Sequence, residues 1–203
     1  MALSKIDVAN MLTGATPVAN GGTALTSGTS GQFLKFTGST TLASAADNQG
    51  GITEADTWRI TSNFTGNTSP ITANWERDDA YQNINMGTGM TQSSGVFSFP
   101  STGVYQVSLN LQFISGGTDN DYILGNIEFT TNNSAYNTTA LAYASIKNNS
   151  TYQMLSCKKI FNITDLTNQK VRFNTSSQDN NHTVATNTNQ NFSYAMFIKL
   201  GDV

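Results

Sequence analysis

A strict alternation of apolar and polar residues runs along positions 105–113 of the chain. A period of two is that of a β-strand with one face in a core and the other face toward a polar surface. The pattern predicts a long half-buried strand, preceded by a short strand at Phe97–Phe99 and a Pro/Ser/Thr/Gly turn at 100–103. The apolar positions are Tyr105, Val107, Leu109, Leu111 and Phe113.

Nine strand-like runs occur from about Thr57 onward, separated by clusters of Asn, Thr, Gly and Ser. No amphipathic helix pattern lies between them, and no repeat of fixed period is visible. The chain is therefore expected to be an all-β sandwich. The runs are TWRITSNF, ITANWERD, GVFSF, GVYQVSLNLQF, DYILGNIEFTT, AYNTTALAYASIK, TYQMLSCKKIFNI, KVRFNTSS and FSYAMFIKL.

Residues 1 to about 46 have a different composition, with Gly pairs, Ser/Thr runs and isolated apolar residues. Such a segment cannot bury enough apolar surface to fold alone, so we expect its structure to come from a partner. The stretch Ser4–Leu12 could begin a short helix with Ser4 as its N-cap. The predicted organisation is an extended attachment segment at 1–50 and a β domain at 51–203.

The last run, FSYAMFIKL, is apolar on both of its faces. One face can fill the sandwich core, and the other needs a separate cover. We expect the cover to be another subunit; the alternative is a central strand with a loop packed over it. Tyr194, Met196 and Ile198 lie on one face, and Ala195 and Phe197 lie on the other.

The composition narrows the possible partners. Charged residues make up 11% of the chain and the formal net charge is −3, so no clustered basic face is expected and neither is a nucleic-acid partner. No run has the length of a membrane span or of a signal-peptide core, which predicts a protein made in a cytoplasm without membrane insertion.

Two segments together resemble the C1q and tumour-necrosis-factor-like domains. FSFPSTGVYQVSLNLQF is similar to their phenylalanine strand, Gly-x-Tyr turn and long alternating strand, and FSYAMFIKL is similar to their closing strand. The resemblance covers about residues 54–203 and implies a ten-stranded jelly roll that assembles as a compact homotrimer. It also implies that Tyr194, Met196 and Ile198 face the threefold axis.

The front segment resembles stretches of tail-fibre and related virion proteins of bacteriophages. The shared pattern is P-V-A-N-G-G-T-G, in which Ala24 replaces the last glycine. The resemblance implies a virion location and docking on other virion proteins through this segment. The implied attachment residues are Pro17, Val18, Ala19, Asn20, Gly21, Gly22 and Thr23.

Candidate catalytic and metal-binding residues are few. Glu76, Asp78 and Asp79 could supply paired carboxylates for a polysaccharide depolymerase, although a solvated strand end is the favoured interpretation. Asp119 and Asp121 have the alternate spacing of calcium ligands, but the rest of an EF-hand pattern is missing. We therefore predict no catalytic site, no metal and no cofactor.

For four other residues, a structural role is favoured over a chemical one. Cys157, the only cysteine, is expected to be a small buried apolar residue, and His182 a satisfied or solvated loop residue. Trp58 and Trp75 could form a sugar-stacking platform, but core or interface packing is favoured because each lies in a strand-like run.

The sequence thus predicts a non-enzymatic phage virion protein, a trimeric fibre or knob on tail or capsid that contacts a host-surface glycan or protein. The alternatives are a capsid decoration protein without a receptor, and a depolymerase. Loops rich in Asn, Thr, Ser and Gly would be presented to the host. These loops are 116–121, 131–138, 147–151 and 176–190.

Overall fold

The computed structural model describes residues 28–38, 41–45, 51–82, 85–148 and 151–203. The chain divides into two compact units, residues 1–50 and residues 51–203. In the first unit, β1 (Phe33–Phe36) pairs with β2 (Leu42–Ala45) as an antiparallel hairpin whose β1 side chains are exposed. The predicted helix and the predicted attachment residues Pro17 to Thr23 lie outside the described residues.

The second unit contains two antiparallel sheets. The sheet named here the front sheet has seven strands, and the one named the back sheet has five. The front sheet consists of β3 (Ala55–Ile60), β4 (Phe64–Thr65), β5 (Trp75–Arg77), β8 (Gly103–Ile114), β11 (Tyr152–Ile163), β13 (Thr183–Ala185) and β14 (Tyr194–Gly201). The back sheet consists of β6 (Thr91–Ser93), β7 (Val96–Ser98), β9 (Asn120–Thr130), β10 (Asn137–Ile146) and β12 (Lys170–Ser177).

Strand β8 organises the front sheet. It pairs along its whole length with β11 on one side, and with β14 and β13 on the other side. In the back sheet the strand order is β10-β9-β12-β7-β6. This arrangement confirms the predicted all-β jelly-roll sandwich, and each of the nine predicted runs contains a strand. A short 3-10 turn, Ala80–Gln82, follows β5.

The core lies between the two sheets. The apolar set of β8 is buried as its alternation predicted, and Phe97 from β7 lies among aromatic rings of both sheets. Trp58 and Trp75 each meet Phe97 edge to face, with ring centroids 5.5 and 5.2 Å apart. Edge-to-face contacts are a favoured aromatic geometry. The packing interpretation of the two tryptophans is therefore confirmed.

Two turns depend on glycine. Gly103, at φ +147°, ends the predicted turn before β8, and a Cβ there would lie 2.7 Å from the Gly201 oxygen. Ser94 and Gly95 have φ values of 49° and 79° and join β6 to β7. Two successive positive φ angles are those of a type I′ hairpin turn. The dipeptide Ser94-Gly95 is a turn signal from which a strand before β7 could have been predicted. This strand, β6, was not predicted from the sequence.

Candidate functional surfaces

Strand β14 divides its side chains between the core and the outer face of the front sheet. Ala195 and Phe197 are buried in the core, while Tyr194, Met196 and Ile198 are half-buried on the outer face. These three residues are named here the β14 column. The two faces are thus the ones that the alternation predicted. What covers the column in an assembly, and hence its role as a subunit interface, stays a prediction.

The surface beside the column is mixed polar and apolar. The strand register places Asn110, Ser108 and Gln106 of β8 next to the three column residues. Farther out, β11 forms an edge of the sheet and carries exposed apolar side chains on this same face. A soluble monomer rarely leaves a large apolar patch open, so this face is a candidate protein-contact surface. The exposed β11 residues are Tyr152, Met154 and Ile160.

Two residues that follow β5 share a cavity with the column. Asp78 and Asn85 lie beside Met196 and Ile198, and all four line a cavity of about 120 Å³. Both expectations for the cover of this face, another subunit or a loop packed over the strand, stay predictions.

A buried arginine, Arg59, holds the acidic residues that follow β5. Its guanidinium, only 1% exposed, lies 3.1 Å from Glu76, 2.5 Å from Asp78 and 2.6 Å from Asp79. Burial opposes its charge, but the hydrogen bond to Asp79 and the charges of Glu76 and Asp78 outweigh burial, so the pKa of Arg59 is raised. Asn191 Nδ2 also donates to Asp78, at 2.6 Å.

This cluster corrects the sequence interpretation of a solvated strand end. The interpretation holds for the exposed Asp79 and is wrong for Asp78, which is 7% exposed. The cause is strand register: Arg59 of β3 is paired with Glu76 of β5, which brings the guanidinium to all three carboxylates. All three carboxylates thus share one guanidinium. Sequence reasoning missed Arg59 because its partners are 17 to 20 residues away.

The predicted presenting loops do not share one surface. Residues 115–119, Lys147, Asn148, Thr151 and residues 178–182 meet at one end of the sandwich, named here the loop end. Asp119 accepts a hydrogen bond from the Asn148 backbone at 2.7 Å, and Thr118 donates to Asp179 at 2.6 Å. Loop 131–136 lies at the opposite end, where the Asn133 backbone donates to Asn168. The loop end and loop 131–136 are separated because β9 runs the length of the sheet between them.

The two candidate calcium ligands have separate partners. Asp119 is held by the Asn148 amide and by Lys147, which lower its pKa, whereas the Asp121 backbone donates to Gln178. Among the described residues, no group of three His, Cys, Asp or Glu side chains is arranged to hold a metal.

Cys157 and His182 are both inside the domain. Burial raises the pKa of the Cys157 thiol to about 11, and its Sγ lies 3.7 Å from the Gly125 oxygen. The prediction of a buried apolar cysteine is confirmed. His182 is satisfied rather than solvated: Nδ1 lies 2.5 Å from Ser177 Oγ, and burial lowers the pKa of the imidazole to about 4. Its segment appeared polar, but β13 carries it into the sandwich.

No protein-family model matches the chain, and no curated protein matches it in sequence. Solved structures do match. The crystal structure of murine APRIL at pH 5.0 aligns with a TM-score of 0.54 at 11% identity, covering 72% of this chain and 98% of that chain. Murine APRIL at pH 8.5 aligns with a TM-score of 0.52 at the same identity and coverage. The domain thus has the tumour-necrosis-factor-like jelly-roll fold.

A structure of Eiger TNF from S. frugiperda also matches, with a TM-score of 0.48 at 15% identity over 73% of this chain and 93% of that chain. Separately, the residues that the structure describes contain no helix that is long and apolar enough to cross a membrane.

Proposed function

We propose that this chain is a non-enzymatic structural protein of a bacteriophage virion, a homotrimeric fibre or knob that contacts the host surface. The observation that carries the assembly part of the proposal is the set of apolar side chains on the outer face of the front sheet, the β14 column and the exposed residues of β11, with polar positions of β8 between them. The tumour-necrosis-factor-like fold supports a trimer built on this face.

Assembly through this face is favoured by its chemistry. The column offers aromatic, thioether and branched aliphatic groups, which are the groups that subunit interfaces bury. On the side that faces β8 the neighbouring positions are short polar residues, Ser108 and Asn110, which let another chain approach closely. A cyclic arrangement closes such contacts without leaving a free interface.

The place where the chain enters the domain supports the proposal that the loop end is presented to the host surface. The chain enters the domain near Glu54, whose oxygen accepts from the Lys199 amide, at the end opposite to loops 115–119 and 178–182. The loop end is therefore free for presentation, and residues 1–50, with Pro17 to Thr23 as docking residues, serve in this proposal as the virion-attachment segment. A trimer would carry three attachment segments and three loop ends, so its binding to the virion and to the host would both gain affinity from multivalency.

The assembly part is tested by native mass spectrometry of the purified chain at micromolar concentration. We expect a trimer for the unmodified chain and a monomer for Met196→Glu, because three buried carboxylates would be brought together. Leu141→Glu places the same charge at an exposed position of the back sheet and should leave the trimer intact. A monomeric unmodified chain would contradict the proposal.

The virion part is tested by cryo-electron microscopy of the particle that carries the chain. A few copies at tail or vertex sites are expected for a host-contacting fibre. Many copies in register with the capsid lattice would instead identify a decoration protein, and absence from the particle would overturn the virion assignment. A depolymerase would release sugar from host envelopes in a manner that depends on Glu76, Asp78 or Asp79.

A further inference from the structure

A polar groove of about 270 Å³ lies on the outer face of the back sheet. One wall is the segment 67–71, which runs beside β12 beyond the short strand β7. Thr68 and Thr175 exchange two backbone hydrogen bonds of 2.9 Å, and the Ile71 amide donates to Phe173. This segment is therefore fixed as an extension of the sheet, and the groove is built on rigid backbone.

Two asparagines on the groove lack partners for their carboxamide oxygens. Asn126 of β9 and Asn174 of β12 are direct cross-strand neighbours, and both line the groove. Their Oδ1 atoms are shielded from solvent and have no hydrogen-bond partner among the described residues. Asn174 is 4% exposed. Buried polar atoms in proteins are normally paired, so these two side chains gain hydrogen bonds if their carboxamides rotate toward a ligand in the groove.

The rest of the lining is also neutral and hydroxyl-rich. Ser69 and Ser176 supply hydroxyl groups to the groove. Among the described residues that line it, Glu128 is the one acidic side chain, and Arg172 offsets its charge at 2.6 Å. The described lining residues include no lysine or arginine. An anionic ligand would therefore find no counter-charge, whereas an uncharged polyol would find several donors and acceptors.

An apolar surface adjoins the polar groove. The register places Leu124 of β9 between Ser176 of β12 and Tyr143 of β10. Tyr143 is 63% exposed and meets Tyr122 edge to face at 6.0 Å. An open tyrosine beside a cluster of amides and hydroxyls can contact both the apolar face and the hydroxyl edge of a sugar ring.

We propose that this groove binds a hexose unit of a neutral glycan, with the sugar hydroxyls on Asn126 and Asn174 and the ring toward Leu124 and Tyr143. The cavity is smaller than the roughly 300–1,000 Å³ of sites for drug-sized ligands and suits one sugar ring. The inference deepens the proposed host contact by naming its ligand class, and rests on the proposed function for its biological role. It places that contact on a sheet face rather than on the loop end.

The test is a titration of the isotope-labelled full chain, followed by amide NMR spectra, with methyl glycosides of glucose, galactose, mannose and N-acetylglucosamine. At least one glycoside should shift the side-chain amide signals of Asn126 and Asn174, with a dissociation constant of order 1 mM for a single ring. No shift with any of the four, or shifts confined to the loop end, would overturn the proposal.

The double variant Asn126→Leu with Asn174→Leu should bind the same glycoside at least about tenfold more weakly. Its melting temperature should stay equal or rise, because two unpaired polar atoms leave the structure. Asn137→Leu, at an exposed asparagine of the same sheet, is the matched control and should bind normally. Unchanged binding by the double variant would overturn the proposal.

If the double variant fails to fold, Ser176→Phe fills the groove from a half-buried position and should abolish binding. These measurements use the isolated chain, so they separate the two proposals. Loss of glycan binding with an intact trimer on the virion would refute the groove alone. Glycan binding by a chain that is absent from the virion would refute the virion role alone.

Discussion

Arg59 donates a hydrogen bond from Nη1 to Asp78 Oδ1 at 2.5 Å, and both side chains are nearly fully buried. Removing one partner of a buried ion pair leaves the other charge without compensation, which costs about 3–5 kcal/mol. We expect Arg59→Met to lower the free energy of unfolding by that amount. Denaturant unfolding followed by tryptophan fluorescence measures it.

Asp79→Asn is the control for the Arg59 substitution. It removes the charge of a carboxylate that contacts the same guanidinium and is 75% exposed. Exposed ion pairs contribute at most about 1 kcal/mol, so the variant should unfold close to the unmodified chain. Equal losses for the two variants would show that burial does not decide the strength of this cluster.

His182 should make the domain less stable as the pH falls from 6.5 to 4. The folded state holds the imidazole neutral, with its pKa lowered from 6.5 to about 4 by burial, so the unfolded chain takes up a proton first. Stability is complete above pH 6.5, and about 3 kcal/mol of it is lost by pH 4. Unfolding free energies across this range for the unmodified chain and His182→Gln measure the effect.

Three aspartates contribute mainly below this window. Asp119, Asp165 and Asp179 have pKa values below the ordinary 3.8, so their contributions are present above that pH and are lost only as the pH falls further. A pH dependence between 4 and 6.5 that persists in His182→Gln would contradict the assignment to the histidine.

Cys157 should resist thiol reagents in the folded protein. The thiolate is the reactive form, and a pKa of about 11 leaves little of it at pH 8, while burial also limits access. We expect labelling by a chromogenic disulfide to be at least about 100-fold slower in the folded chain than in guanidinium. Rapid labelling under native conditions would mean that β11 opens readily from β8.

Gly95→Ala should be far more harmful than Gly117→Ala. Both glycines have positive φ angles, 79° and 94°, but a Cβ on Gly95 would collide with the Ile71 oxygen, whereas nothing lies within 4 Å of one on Gly117. The backbone strain alone costs about 1–2 kcal/mol at either site. Thermal melts should show this modest loss for Gly117→Ala and at least twice that loss for Gly95→Ala.

Long strands with one buried face were easier to predict from the sequence than short strands. Strands such as β8 and β14 are long enough for a period of two to be visible, and all nine predicted runs contain strands. β6 and β13 were missed because each has three residues without an aromatic side chain and lies in a polar stretch, whereas the equally short β5 and β7 contain Trp75 and Phe97. Their positions depend on the Ser94–Gly95 turn and on pairing with β8, which is distant in sequence.

The candidate site residues were harder to predict from the sequence than the strands were. The outward set Tyr194, Met196 and Ile198 is an alternation and was found from the sequence. The acidic run was misread because Arg59, its partner, comes from another strand. Likewise, no local signal pairs Asn126 with Asn174, which are adjacent only through the register of β9 and β12.

The sequence by itself determined the all-β class, the inward and outward faces of the long strands and the buried state of Cys157, because each follows from local alternation and hydrophobicity. Only the tertiary structure decided which charges pair, that His182 is buried, which loops share an end, and where two amide oxygens are left unpaired. These features depend on the pairing of segments far apart in the chain, and a single-residue slip of register would exchange the inward and outward side chains of a strand.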